Sequence, residues 1–405
     1  MNRTKRRWHW FDRESFAWIL EPGHVDAAFL VTTLIILTFG LIMMFSASVA
    51  SGTKLFWTQL RYAAIGVLAM IVLSQLHMDR FENGLGGVIV PIAYAITVLM
   101  LFLPFISSGD TLPGYHRIFK LGPISFQPSE FVKFGMILML AKALTLVQPK
   151  LLKDDPIRFR AFEKPVRTPI GKAWRAVVNY YGQRDLLVIL ILGLLIGLPA
   201  VIVKAGNHNS GMIILFLIGL CMLFSGNVKL RYFIAGFTAI AVVLIVGFVI
   251  YKTSPDFFTA HLDQKGRITA WLSHNYASHD QNRWQVNNGL YAIGSGGFFG
   301  VGFNKSVQKY YYVPEPQNDM IFSILCANIA RQSRSKFQKF VVYGVMAHIG
   351  MQVVMNVAVV TEVMPLTGVE LPFFSSGGSA LLTNLVESGF VLAVSKYNPK
   401  QRAVR

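Results

Sequence analysis

The chain has 405 residues, of which 53% are hydrophobic and only 14% charged, with a mean hydropathy of +0.48. A soluble domain normally carries about 25% charged residues, so an ordinary soluble globular protein is excluded. The net charge of +18 does not signal nucleic acid either, because most of the Lys and Arg lie in short segments between apolar runs.

Crossing a hydrocarbon core of about 30 Å takes roughly 20 consecutive apolar residues, and such runs recur along the chain. The first 24 residues are polar and basic and the first apolar run is long enough to span, so no cleavable signal peptide is expected. In chain order, spans are expected at 27–49, 58–76, 86–105, 128–146, 185–203, 211–226, 232–251, 340–363 and 377–394. Arg3 to Arg7 hold the N-terminus in the cytoplasm, and the basic loop 147–184 then falls on the same side. The expected fold class is thus an all-α polytopic membrane protein, with about nine full helices and a large extracytoplasmic loop at 252–318. Loops 105–127, 204–210, 252–318 and 364–376 all fall on the outer side, where a site at a membrane surface would have to be built.

Parity creates a difficulty near the C-terminus. The clusters Arg331, Arg334, Lys336, Lys339 and Lys396 to Arg405 both read as cytoplasmic, yet only the apolar stub 320–330 precedes the first of them. Eleven residues of helix reach about 16 Å, half of what a crossing needs. Either this truncated tenth helix crosses a thinned bilayer, or a span has been lost here.

The chemistry concentrates around 114–144. Pro128 suits the first turn of a helix, and Glu130 then sits at the helix's positive end. Glu130 and Lys133 are three apart on one helical face and run into apolar sequence, where ionisable groups are costly and usually functional. A structural ion pair that fixes helix register is the competing reading. Arg117 stands just outside, where a pyrophosphate could be met; Lys120 reads as a solvated loop charge. Gly294, Gly296, Gly297, Gly300 and Gly302 do not satisfy the dinucleotide-binding fingerprint and follow no strand. Cys221 and Cys326 read as buried small hydrophobes, and His261, His274 and His279 lack zinc spacing.

GYHRIFKLGPISFQPSEFVK (114–133) resembles the signature of the SEDS family (shape, elongation, division and sporulation), which includes FtsW, RodA and SpoVE. GLIMMFSAS (40–48), GLYAIGSGGFFGVGFNKSVQK (289–309), VPEPQNDMIFSIL (313–325) and LPFFSSGGSALL (371–382) resemble further family blocks in the family's order. The resemblance implies a glycosyltransferase that polymerises lipid II at the outer face of the bacterial cytoplasmic membrane, during division or elongation. It implies one membrane domain over 1–405 with both termini cytoplasmic, and a class B penicillin-binding transpeptidase as partner. No certain cofactor is implied, a divalent cation being the one candidate.

The family's essential aspartate lies in the large outer loop, and Asp280 is the only carboxylate in the corresponding stretch 270–285, with Asp263 the runner-up. A carboxylate there would take the proton of the attacking hydroxyl. Arg117, Glu130, Lys133, Arg267 and Asp319 are the expected substrate-binding residues; Glu315 matches a further family position. One departure stands out. After FSILC (322–326) relatives continue with two glutamates, a Leu-Gly and a further span, whereas ANIARQSRSK follows here, so a segment of about one span is expected to be missing. A lipid II flippase, or a non-catalytic scaffold of the division or elongation machinery, are the alternative functions.

Overall fold

A computed structural model describes residues 24–48, 53–83, 86–110, 114–121, 124–151, 184–254, 268, 271, 326, 329–333, 335–365 and 367–396. The elements are α1 (Ala27–Ser48), α2 (Lys54–Ser74), α3 (Met78–Asn83), α4 (Gly86–Met100), α5 (Leu103–Ile106), β1 (Phe119–Leu121), β2 (Ile124–Phe126), α6 (Pro128–Leu151), α7 (Arg184–Ala205), α8 (Asn209–Ser225), α9 (Leu230–Thr253), α10 (Lys336–Val360) and α11 (Gly378–Ser395). Seven stretches are long and apolar enough to cross a membrane by length and composition: α1, α2, 86–106, α7 from Val188, α9, α10 and α11. The other two expected spans are helical as well. Of these, α8 has 17 residues and is shorter, and α6 carries Glu130, Lys133, Lys142 and Lys150 along its 24 residues. The chain is an integral membrane protein of the polytopic helical class.

Helix boundaries follow local chemistry. α10 begins at Lys336, four residues before the apolar run, because Ser335 Oγ accepts from the Gln338 amide at 3.1 Å and satisfies an otherwise orphaned donor. α6 opens on Pro128, whose missing N–H costs nothing at that position. One local element is absent from the apolar pattern: β1 and β2 form an antiparallel hairpin, with Lys120 opposite Ser125. The proposed cytoplasmic loop narrows to 152–183, which lies outside the described residues.

The centre of the bundle is α11, which packs most extensively on α2, while α10 lies against α6, α8 and α11. Close approach of α2 and α11 depends on small residues: a Cβ on Gly389 would meet the Met70 carbonyl oxygen at 2.9 Å. Leu385, Val391 and Ala393 of α11 are fully buried, as are Met136, Ile137 and Leu140 of α6.

The two ends of the bundle can be told apart from contacts. At one end, the Asp26 amide at the start of α1 donates to Ser395 Oγ at the end of α11 (2.9 Å). Gln338 Nε2 at the start of α10 likewise donates to Asp79 Oδ1 of α3 (2.7 Å). At the other end, the Gln127 amide donates to Ser379 Oγ at the start of α11 (3.0 Å). α9 follows α8 at the Asp26 end, and α10 starts at that end too. Residues 320–325 lie outside the described residues, but Cys326, Ile329 and Ala330 at the end of the stub are buried in the main core.

Candidate functional site

Three of the four loops expected on the outer side converge at the Gln127 end of the bundle. His116 N donates to the Gly206 carbonyl at 3.2 Å, and Asn207 Nδ2 to the Gly114 carbonyl at 2.6 Å, locking 114–117 to 206–208. Tyr62 Oη donates to the Ser125 carbonyl (2.7 Å) and Gln59 Nε2 to the Ser375 carbonyl (3.2 Å), which joins the hairpin and the 361–377 turn through α2. The fourth loop, 252–318, lies almost entirely outside the described residues. Its Trp271 Nε1 donates to the Glu362 carbonyl at 2.8 Å, so at least that side chain reaches the same turn.

Beneath this meeting point sits the expected ion pair. Lys133 Nζ donates to both oxygens of Glu130, at 2.7 and 2.8 Å, and the side chains are only 2% and 5% exposed. One helical turn of α6 supplies both groups, as their spacing requires. Two charges out of water need each other here, since an unpaired one would carry several kcal/mol of desolvation.

Arg117, on the segment that precedes α6, is 35% exposed, with its guanidinium 4.7 Å from the Tyr115 ring centroid. Asp110, which the sequence reading passed over, fixes it. Asp110 Oδ2 accepts from the amides of Arg117 (2.7 Å) and Ile118 (3.0 Å), and Oδ1 accepts from Arg117 Nε (3.2 Å). Burial pushes the Asp110 carboxyl upward, but these amides and the guanidinium outweigh it and hold the group below the usual carboxylate range. The arrangement presents a fixed cation at the surface, suited to a phosphate. Lys120 is exposed on β1, in keeping with a solvated charge.

Four further side chains escaped the sequence reading. His208 Nδ1 lies 3.3 Å from Ser129 Oγ and 3.4 Å from Gln127 Nε2, over the first turn of α6. Burial lowers its pKa to about 4, so the ring is neutral at pH 7. The segment AGNHNSG (205–211), where a histidine interrupts an otherwise small and polar loop, was the available signal. Glu370 sits in the 361–377 turn with its carboxylate pressed against Gly377, so closely that any Cβ there would collide with it. Deeper in, His348 Nδ1 is 2.9 Å from both Glu387 oxygens, and both side chains are fully buried.

Asp280, Arg267 and Asp319, like Asp263 and Glu315, lie outside the described residues. Among the described residues, no group of three or more His, Cys, Asp or Glu is placed to hold a metal ion.

The comparisons with known proteins agree along the whole bundle. The family described as cell cycle protein, FtsW/RodA/SpoVE, matches residues 26–328 and 325–400, two pieces that meet where the sequence departs from its relatives. Stage V sporulation protein E of Bacillus subtilis is 28% identical over 92% of this chain and 97% of its own length. A probable peptidoglycan glycosyltransferase FtsW of Coxiella burnetii is 28% identical over 91% and 96%. Among solved structures, a chain of a peptidoglycan synthase complex that coordinates polymerization and crosslinking superposes with a TM-score of 0.65 at 23% identity, covering 92% of this chain and 97% of that one. The rod shape determining protein RodA of Thermus thermophilus follows with a TM-score of 0.58 at 21% identity, covering 93% and 98%. At these identities the solved structures establish a shared fold, and the profile match extends it to kinship: this chain belongs to the FtsW/RodA/SpoVE family.

Proposed function

We infer that this chain is a peptidoglycan glycosyltransferase that polymerises lipid II at the outer face of the cytoplasmic membrane, in cell division or elongation. The observation that carries the reading is the buried Glu130–Lys133 pair in the first turns of α6, at the end of the bundle where Asp110 fixes a part-exposed Arg117. Relatives bearing the name peptidoglycan glycosyltransferase over almost their whole length support it. The growing strand on undecaprenyl pyrophosphate is the donor, and a sugar hydroxyl of an incoming lipid II is the acceptor. Asp280 takes the hydroxyl proton as the new glycosidic bond forms and the bond to pyrophosphate breaks. Arg117 and Arg267 meet the departing pyrophosphate, whose developing charge needs fixed cations. Glu130 and Lys133 hold the floor of the site, and Asp319 binds at its rim. The tied Asp26–Ser395 end is proposed to face the cytoplasm with both termini, and the basic segments flanking it in sequence support this. A class B penicillin-binding transpeptidase is the partner proposed.

A non-catalytic scaffold is the second reading, favoured by the family match breaking into two pieces at 325–328. Polymerisation of labelled lipid II by the purified full chain decides between them. Glycan strands that fall by ~10²-fold or more in Asp280→Asn support the polymerase. No strands from a folded wild type, with retained binding to the transpeptidase, favour the scaffold. Vesicle translocation without polymer would point to a flippase.

A further inference from the structure

The two sides of α2 are put to opposite uses. Gln59, Ala63, Gly66 and Met70 line its buried side, against α11. Lys54, Trp57, Arg61, Ile65, Leu68 and Val72 recur at spacings of three and four, and fall on the side directly across the helix. All six are exposed, Trp57, Ile65 and Leu68 by more than half. In an integral membrane protein this face meets lipid. Its apolar residues belong there, but Arg61 does not: a cation against hydrocarbon is costly and calls for a partner. Among the described residues Arg61 has no hydrogen bond, ion pair or ring contact. Lys252, exposed in the last turn of α9, differs, since its ammonium lies 5.9 and 5.8 Å from the ring centroids of Phe248 and Tyr251.

Position and neighbours narrow the partner. α2 starts at the Gln127 end, where Gln59 and Tyr62 reach the 361–377 turn and the hairpin. Arg61 follows Lys54 by seven residues, about 10 Å along the axis. Helical side chains lean towards the N-terminus and arginine is long, so the Arg61 guanidinium rises towards the membrane surface at which Lys54 stands. Between them is Trp57, braced from Phe45 of α1 through Phe56 by edge contacts with centroids 5.1 and 5.6 Å apart. Such aromatic rings collect at the level of the headgroups. Beyond Arg61, Ile65, Leu68 and Val72 continue the stripe for two turns. Two cations above an apolar stripe match an amphiphile with negative charge at that level and an acyl chain beneath. A zwitterionic headgroup would bring its own ammonium against both cations, so an anionic one fits better. Lys336 and Lys339 open α10 at the opposite end, so the bias that gathers cations on one side of a membrane does not account for Lys54 and Arg61.

We propose that the exposed face of α2 binds one anionic phospholipid from the leaflet at the Gln127 end, with its phosphate between Arg61 and Lys54 and an acyl chain along Ile65, Leu68 and Val72. The planar guanidinium of Arg61 grips phosphate oxygens in pairs, and Lys54 adds a point charge. The lipid supplies Arg61 with the counter-charge that the protein withholds. It also fixes the depth of α2, and through Gln59 and Tyr62 that of the loops tied to it. This site is separate from Arg117, whose guanidinium is engaged by Asp110.

The test is native mass spectrometry of the full chain, released from micelles that hold equal amounts of phosphatidylglycerol and phosphatidylcholine with the same acyl chains. The wild type should retain one phosphatidylglycerol in preference to phosphatidylcholine, and the preference should weaken as ionic strength rises. Arg61→Gln and Lys54→Gln should each reduce it roughly fivefold, the contribution of one cation near an anionic membrane surface. Lys252→Gln should leave it unchanged. Equal retention of the two lipids by the wild type would show that Arg61 simply reaches water, and would overturn the proposal. So would equal losses in Arg61→Gln and Lys252→Gln, which describe diffuse surface charge. Displacement of the lipid by millimolar inorganic phosphate would also overturn it, because that describes a site for free anions. Should Arg61→Gln fail to fold, Lys54→Gln measured against Lys252→Gln decides by the same ratio.

Discussion

α11 and α9 are nearly inverted versions of one another. In α11, 83% of the most apolar window is buried, and that window has a mean hydropathy of only 1.3; in α9 the figures are 7% and 2.8. The less hydrophobic helix occupies the centre and carries Thr383, Asn384, Glu387 and Ser388 there, while the more hydrophobic one faces outward with Ile245 and Phe248 more than half exposed. In water the order would be the reverse. With lipid as solvent, apolar surface gains nothing by being hidden from it, and polar groups are what must be enclosed.

The largest expected effect breaks the polar centre. His348→Leu leaves the Glu387 carboxylate alone in a fully buried position, and should cost ~3–5 kcal/mol. The double variant His348→Leu with Glu387→Leu should recover most of that loss. Equilibrium unfolding in mild detergent measures both, and a double variant as unstable as the single would show that shape, not charge, is at issue. Next in size is the apolar packing of the same helix. Leu385→Ala removes a fully buried side chain against Gly66 and should cost ~2–5 kcal/mol, with the spread set by how far α2 can close the gap.

A smaller effect should appear at the outer rim as a pH dependence. His208 is held neutral, with its pKa lowered from 6.5 to about 4. A depressed pKa in the folded state means that its contribution is present above pH 6.5 and fades as the pH falls towards 4. Stability scans between those limits should decline in the wild type and be flatter in His208→Gln. At the bottom of the scale stands α9, where Ile245→Ala should change stability by no more than about 0.5 kcal/mol, since lipid closes over the site and leaves no cavity. A loss comparable to Leu385→Ala would show that α9 is covered by protein after all.

How much of this was legible beforehand depended on sequence distance. Apolar runs announced the helices, because a bilayer sets their length. Glu130 and Lys133 were legible as a pair, since three residues within one turn decide their contact. By contrast His348 and Glu387 are 39 residues apart, and the tie from Gln127 to Ser379 spans 252. No periodicity within α10 or α11 says that those side chains meet. Glu370 carried no signal in the sequence for the same reason: its burial depends on Gly377 lying beneath it, and on helices contributed from elsewhere in the chain. The start of α10 was misplaced by four residues because Lys336 and Lys339 are polar, while the Ser335 cap lets the helix run on through them.

The central position of α11 has a consequence for biogenesis. This helix is the last of the described elements to leave the ribosome, yet α2 and α6 pack around it. Throughout synthesis, the earlier helices must therefore surround an unfilled slot whose walls include Tyr62, Gly66 and Met70 of α2. Lipid, a chaperone or the insertion machinery has to fill that slot until residues 378–395 arrive. A nascent chain stalled before Gly378 should thus remain an open sheaf, recognisable by quality-control proteases. Release of the final helix, rather than insertion of the first, would then be the event that commits the protein to its fold.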